Sequence, residues 1–283
     1  MAVDGEVALF SMIKWLCFQL SRCKQDGPNG PLFGDQMALF SVDKNRGRNV
    51  STTIIGLDIG YGYTKAVTST AEVVFPSVVG QAERIRYESD LISENGRGIH
   101  LVTPNGERFV GELALLQSRI KWTPQDRGRV TSRTMVTLAQ AAFSELGVSG
   151  NVALVTGLPV EWYGDREALT EQLKGQHVIR RCGGGCPVVN VSQVLVVPQP
   201  FGSLFALILD EDGKLINQEL ARGRVGVIDV GMHTTDFVLV DRLRYVEKGS
   251  GSLASALSRV HELGHRRGRN LQIGATCAQS MRA

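Results

Sequence analysis

An apolar strand that ends on an aspartate, turns on glycines and returns as a second strand occurs twice in this chain. The first copy is Ile54-Ile55-Gly56-Leu57-Asp58-Ile59-Gly60-Tyr61-Gly62-Tyr63-Thr64-Lys65-Ala66-Val67. The second is Arg224-Val225-Gly226-Val227-Ile228-Asp229-Val230-Gly231-Met232-His233-Thr234-Thr235-Asp236-Phe237-Val238-Leu239-Val240. Taken alone, the first copy is equally an ordinary hairpin whose glycines merely serve the turn. A glycine turn also lets backbone N–H groups approach a phosphate closely, because no Cβ intervenes. An aspartate at a strand end can hold a hydrated divalent cation, and a lysine is a point charge for phosphate oxygens. The second copy decides between these readings. The period is too long for a solenoid array, so two nucleotide-contacting hairpins imply two similar domains facing one another across a cleft.

The intervening sequence is α/β in pattern. Strands are expected over 54–58, 64–68 and 72–75, and a hairpin over 98–103 and 107–110 around Pro104-Asn105-Gly106. A short helix is expected over 111–118. Between 131 and 146 the apolar residues Met135, Leu138, Ala139, Ala142, Phe143 and Leu146 share one helical face, and Gly147 stands just past the end as a stop. A buried strand over 151–156 runs into Gly157-Leu158-Pro159, and a helix follows over 165–173. Residues 177–181 and 188–197 read as two strands joined by a glycine-rich turn, and 200–209 as a helix. After the second hairpin come a strand over 244–248 and a helix over 253–263.

Composition narrows the class. In 283 residues, 43% hydrophobic and 21% charged, there is enough apolar material for one large or two medium domains. The last twenty residues carry four arginines and no acid, so of the net charge of +3 the rest of the chain keeps −1. Nothing in that body resembles a nucleic-acid footprint. Five cysteines, an odd number in a chain too large to need disulfide staples, favour a reducing cytoplasm. The apolar patch at 7–20 is interrupted by Lys14 and is too short to span a bilayer. It has no basic region before it and no small-residue cleavage site after it, which argues against a signal peptide. A short amphipathic docking or surface-membrane helix is the lesser reading of this patch, and no membrane partner is expected. Residues 1–50, broken by Asp26-Gly27-Pro28-Asn29-Gly30-Pro31, read as a poorly ordered extension, with translation expected to begin near Val50 or Ser51.

The two hairpins, with the strand end Leu158-Pro159 between them, resemble the actin-like ATPase superfamily. Leu158-Pro159-Val160-Glu161-Trp162-Tyr163, Phe75-Pro76-Ser77-Val78-Val79-Gly80, Phe109-Val110-Gly111-Glu112 and the run from Val188 to Asp236 are similar to its bacterial plasmid-partition branch (ParM/StbA-like). The resemblance covers residues 51 to about 263. It implies an actin-like (ribonuclease H-like) two-domain ATPase fold. Domain I would span 51–209 and carry the first phosphate hairpin. A partial domain II would span 210–263 with the second, and 264–283 would be a basic, disordered tail.

The resemblance also implies roles. Asp58, Gly60, Tyr61, Gly62, Tyr63, Thr64 and Lys65 would contact ATP from one domain, with Lys65 neutralising phosphate charge. Gly231, Met232, His233 and Thr234 would clasp the phosphates from the other. Asp58 and Asp229 would face magnesium through water. Asp229 and Thr234 would help polarise the attacking water. Glu161 is the candidate for orienting that water, although a register shifted by one would put Trp162 at its position. Phosphoryl transfer needs positioning and charge neutralisation rather than a covalent nucleophile, which two domains closing on one phosphate tail supply.

Other motifs read differently. His233 stands where the family often has glycine and has no Glu or His at ligand spacing beside it. Cys182-Gly183-Gly184-Gly185-Cys186 invites a redox or zinc reading, but its spacing is C-x₃-C with no second pair and a strand follows, so a hairpin tip is the better reading. No G-x-x-x-x-G-K-[ST] and no helix-opening G-x-G-x-x-G is present, which removes the P-loop and dinucleotide readings.

The departure from the family lies after the second hairpin. No glycine-rich adenosine loop and no closing helix is recognisable there, so the second domain reads as incomplete and the chain as C-terminally truncated or frameshifted, or as a fragment of a longer chain. Two functions follow. The first is an ATP-hydrolysing protein that self-associates into filaments and moves plasmid or other DNA through an adaptor protein rather than by direct contact. The alternative is a catalytically impaired actin-like domain acting only as a binding module, or a non-functional fragment. A sugar kinase or chaperone of the same superfamily is a third, disfavoured by the lack of a recognisable sugar-binding segment.

Overall fold

The structure is a computed structural model describing residues 52–85, 98–124, 132–182, 184–208, 215–230 and 235–253. Strands β1 (Thr53–Ile59), β2 (Tyr63–Val67) and β3 (Glu72–Pro76) form the expected antiparallel meander. Then come β4 (Val79–Gln81), β5 (Ile99–Thr103), β6 (Gly106–Val110), helix α1 (Glu112–Gln117), β7 (Lys121–Trp122) and α2 (Arg133–Glu145). Strand β8 (Gly150–Leu158) leads into a 3₁₀ turn (Val160–Asp165), α3 (Arg166–Leu173), β9 (Gly175–Val178), β10 (Arg180–Arg181) and the long β11 (Val188–Pro198). Helices α4 (Phe201–Ile208) and α5 (Gln218–Arg222) precede β12 (Arg224–Val230), β13 (Thr235–Asp241), β14 (Arg244–Tyr245) and β15 (Gly251–Leu253).

Three sheets result. The first has the order β3-β2-β1-β8-β11-β9, with β1, β8 and β11 mutually parallel at its centre. The second is β10-β5-β6-β4-β7, and the third is β12-β13-β14 with β15 added to β13. Central parallel strands are covered on both faces, so they read as nearly continuous apolar runs rather than alternating ones. Strand β1 shows this directly. Ile55, Leu57 and Ile59 enter a core shared with α2 and α3, whereas Ile54 enters a second core on the opposite face. That second core joins Ile54, Val67, Ala153 and Val155 of the first sheet to Phe201, Leu204, Phe205 and Ile208 of α4 and to Val227, Val238 and Val240 of the third sheet.

Helix α2 forms where the periodicity predicts it. The Ser132 side chain accepts a hydrogen bond from the Met135 N–H as N-cap, and Gly147 leaves the helix at φ 65°, a region open to glycine at little cost. Met135, Leu138, Ala139, Ala142 and Phe143 are all buried.

Three expected elements take another form, and β4, β7 and α5 were not expected. The strand expected over 177–181 divides at Ile179: β9 pairs with β11 in the first sheet, while β10 crosses to pair with β5 in the second. Strand 244–248 is shorter, because Arg242 and Leu243 take positive φ (50° and 61°) in a two-residue turn and a 3₁₀ turn (Glu247–Gly249) follows. Leu253 pairs with Thr235 at the end of β15 instead of opening a helix, and the remainder of the helix expected over 253–263 lies outside the described residues. Helix α5 escapes the periodicity because it is one turn long; its mark is Asn217, whose side chain caps the Leu220 N–H. Residues 1–50 and 264–283 also lie outside the described residues.

Candidate functional site

Side chains alternate across a strand, so Asp58 lies on the same face of β1 as Ile54, toward the second core. It is 5% exposed. Across the β1–β2 ladder its register partner is Lys65, 9% exposed, on the same face. From the end of β11, Gln199 Nε2 donates a hydrogen bond to Asp58 Oδ1 at 3.2 Å, while the Gln199 backbone N–H donates to the Leu158 carbonyl at 2.9 Å. Asp58, Lys65 and Gln199 therefore meet where β1, β8 and β11 all end. The carboxyl edge of parallel strands is where open α/β sheets place ligands.

The turn above them is tight on one side and open on the other. The Gly60 N–H donates to the Tyr63 carbonyl at 3.0 Å, and a Cβ on Gly60 would sit 3.0 Å from that oxygen. The Gly62 carbonyl accepts from the Ser77 N–H at 2.9 Å, yet a Cβ on Gly62 would meet nothing within 4 Å. Tyr63 is exposed, and Tyr61 stands edge-on to Trp162 with ring centroids 5.9 Å apart. Thr64 is turned away from this face. Its hydroxyl is fully buried against Ser77 Oγ at 2.9 Å, opposite Ile59 in register.

The connecting segment places the two residues between which the sequence left the register open. After Leu158-Pro159, the Trp162 N–H donates to the Pro159 carbonyl at 3.0 Å, which starts the 3₁₀ turn. Glu161 faces solvent and Trp162 is buried. The turn packs against β11, β13 and β15, so it spans from the first sheet to the third. Tyr163 donates to the Val196 carbonyl at 3.4 Å. Burial pushes its phenol above the ordinary tyrosine value, opposed in part by the nearby Arg166 charge.

On the second hairpin, Asp229 pairs in register with Asp236. Val227, Val238 and Val240 lie in the second core, so alternation puts both carboxylates on that same inner face, and Asp236 is buried. Carboxylates directly opposite one another repel, a cost that a cation lowers. Gly231, Met232, His233 and Thr234 lie outside the described residues. Two residues with a place in this arrangement were not singled out from sequence. Gln199 stands between Pro198 and Pro200 after an apolar strand, and Asp236 sits in the buried phase of an apolar strand. Each was visible as a polar residue at a position whose neighbours predict burial.

The first hairpin fits a phosphate with a hydrated cation. It offers an open glycine cradle at Gly62, a buried carboxylate oriented by an amide, and a lysine opposite that carboxylate. A divalent cation of magnesium type keeps several waters and uses one or two carboxylates, and Asp58 and Asp229 are the carboxylates on these two hairpins that could hold it.

The family described as "Actin like proteins N terminal domain" matches residues 56–202. An archaeal actin homolog of Thermoplasma volcanium is 27% identical over 197 residues, covering 66% of this chain and 57% of that protein, so the chain spans little more than half of that relative. A solved archaeal actin homolog superposes with a TM-score of 0.61 at 26% identity, covering 76% of this chain and 66% of the other. The same homolog in complex with ADP gives 0.60 at 24% identity, covering 76% and 65%. A 15-stranded ParM filament from Clostridium botulinum shares the fold, with a TM-score of 0.60 at 22% identity over 78% of this chain and 71% of the other. With a family match over more than half its length, and with mixed α/β sheets arranged as in these proteins, the chain belongs to the actin-like protein family through that family's N-terminal domain.

Proposed function

We propose that this chain binds ATP with magnesium between its two glycine-turn hairpins and assembles into filaments that segregate plasmid or other DNA through an adaptor protein, in the cytoplasm. The observation that carries the reading is the buried Asp58 carboxylate, held by Gln199 beside the open turn at Gly62. A relative solved with ADP supports nucleotide binding, and a relative solved as a ParM filament supports self-association. No described helix is long and apolar enough to cross a membrane.

In this reading the turn from Gly60 to Gly62 receives phosphate oxygens through amides other than that of Gly60, which closes the turn on the Tyr63 carbonyl, and Tyr61 and Tyr63 flank them. Thr64 acts by holding the turn in place, since its hydroxyl is committed to Ser77 and its backbone lies in the β1–β2–β3 ladder. Lys65 offsets phosphate charge from below the turn. Asp58 would hold the hydrated cation, and Gln199 keeps the carboxylate from rotating. Across the cleft, Gly231, Met232, His233 and Thr234 close on the phosphates, with Asp229 toward the cation. Asp229 and Thr234 polarise the attacking water, and Glu161 orients it. Magnesium, when bound, neutralises charge on the phosphate oxygens. Such preorganised charge in a water-excluding cleft is the main source of catalysis in phosphoryl transfer.

The test is equilibrium binding of a fluorescent ATP analogue with and without magnesium, followed by light scattering. Magnesium-dependent binding that is lost in Asp58→Ala, with ATP-dependent scattering in the parent, is expected. Equal binding by parent and variant would sink the reading. A second reading, binding without efficient turnover, is favoured by the exposure of Glu161 while Trp162 takes the buried position beside Tyr61. Turnover that falls in Glu161→Ala at unchanged affinity would remove it.

A further inference from the structure

Away from the nucleotide hairpins, three strands bring an imidazole, a carboxylate and a thiol to one corner of the second sheet. His100 Nε2 lies 3.0 Å from Glu107 Oε2 and 3.5 Å from Cys182 Sγ, and all three ligand atoms lie within 4.8 Å of one another. We propose that His100, Glu107 and Cys182 form a binding site for a divalent cation of the zinc class.

The corner is set by backbone register rather than by a chance rotamer. Arg181 pairs with Leu101, and the next residue's N–H, that of Cys182, donates to the His100 carbonyl at 3.0 Å, so Cys182 stands directly beside His100. On the other side of β5, His100 pairs with Phe109 and Val102 with Glu107, which sets Glu107 diagonally across from His100 on the same face. The Phe109 ring meets the imidazole edge-on at 4.8 Å and walls it on one side. The crossing of the chain at Ile179 is what delivers the thiol. Had residues 177–181 stayed in the first sheet, Cys182 would lie at a hairpin tip remote from any histidine.

The donor set selects the metal. Mixed nitrogen, sulfur and oxygen ligands suit zinc, with bonds of about 2.0–2.3 Å, whereas calcium and magnesium take oxygen alone. A tetrahedral zinc with those bonds holds its ligand atoms roughly 3.3–3.7 Å apart. The two separations from His100 are close to that spacing and need side-chain shifts of only a few tenths of an ångström. The Glu107 carboxylate and the Cys182 sulfur, within 4.8 Å of one another, close on the metal by a side-chain rotation at the exposed Glu107. His100 is one quarter exposed and Glu107 more than half, so the cation has a path from solvent, and water completes the fourth position. On binding, the Cys182 S–H bond breaks, the proton passes to solvent, and the sulfur lone pair forms the bond to the metal.

The test uses the full chain, reduced and freed of metal, in a zinc titration competed by a chromophoric chelator. One equivalent should bind, and His100→Ala and Cys182→Ser should each weaken it at least tenfold, with Glu107→Gln weakening it several-fold. Cobalt in place of zinc should give a thiolate charge-transfer band in the parent and none in Cys182→Ser. Cys186→Ser should retain the site. Absence of zinc binding by the parent overturns the proposal. Loss of binding in Cys186→Ser with retention in His100→Ala also overturns it, because the metal would then belong to the C-x₃-C pair. Equal melting temperatures of all variants in chelator exclude a folding defect as the cause. None of these readouts depends on nucleotide.

Discussion

Gln199 Nε2 donates to Asp58 Oδ1 at 3.2 Å, joining two residues 141 positions apart at the carboxyl edge of the first sheet. A hydrogen bond to a charged group contributes about 1.5–3 kcal/mol, and here it also selects the direction in which the carboxylate faces. Gln199→Leu keeps the volume and removes the donor. Its affinity for ATP in magnesium should fall about tenfold, the equivalent of about 1.4 kcal/mol, with little change when magnesium is chelated. Fluorescence titration in both conditions checks this; an equal fall in both would show that Gln199 acts on the nucleotide and not through Asp58.

The two turn glycines should separate stability from binding. A Cβ at Gly62 meets nothing within 4 Å, so Gly62→Val should leave the melting temperature within a few degrees of the parent while filling the cradle and abolishing nucleotide binding. A Cβ at Gly60 meets the Tyr63 carbonyl at 3.0 Å, so Gly60→Ala should lower the melting temperature even without nucleotide. Calorimetry of both variants with and without ATP is the measurement. Tight binding by Gly62→Val would mean that phosphate does not lie over this turn.

Phe143 tests the core under the site. It is fully buried between α2 and the first sheet and edge-on to His177 at 5.8 Å. Phe143→Ala should cost about 3–5 kcal/mol through lost transfer energy and the cavity left behind. Urea unfolding should show a lowered midpoint at unchanged slope; a cost under about 1 kcal/mol would place the ring outside a close-packed core.

The third sheet carries an acid-sensitive contact. Arg224 and Asp241 are register partners on β12 and β13, and the guanidinium donates to the carboxylate at 2.9 and 3.3 Å. That hydrogen bond is the largest influence and holds the Asp241 carboxyl below its ordinary value. Desolvation works against it, and the Arg224 and Arg242 charges add to it. A depressed folded pKa contributes stability that is present above the unfolded value, near pH 3.9, and is lost as pH falls through the folded value. Asp241→Asn should therefore melt below the parent near neutral pH, with the gap narrowing as pH drops under about 4. A gap that stays constant down to pH 2 would dismiss the contact. It should also narrow in high salt, because the pair is at the surface.

Much of the fold was legible because its signals are local. Strands β1, β8 and β12 are apolar runs bordered by glycine, β2 and β13 are the return strands of the two hairpins, and α2 has a cap, a single buried face and a glycine stop. The first turn by itself reads equally as an ordinary hairpin, and what set it apart was the second copy of the same pattern downstream. Gln199 was not legible as a partner of Asp58, because nothing local to either residue indicates that β8 lies between β1 and β11. Nor was the choice between Glu161 and Trp162. It depends on which side chain the half-buried Tyr61 ring meets, and that surface exists only after the first hairpin and the 3₁₀ turn have met.

The sequence by itself determined the two hairpins, their aspartates and glycines, and the α/β alternation between them, because periodicity and turn chemistry act over a few residues. Tertiary structure alone decided which distant residues share a face. Parallel pairing of β1, β8 and β11 brought Gln199 to Asp58. A change of sheet at Ile179 carried Cys182 to His100. Both follow from strand order and register, which are set by burial of two cores on opposite faces of one sheet, a property of the whole chain and of no single segment.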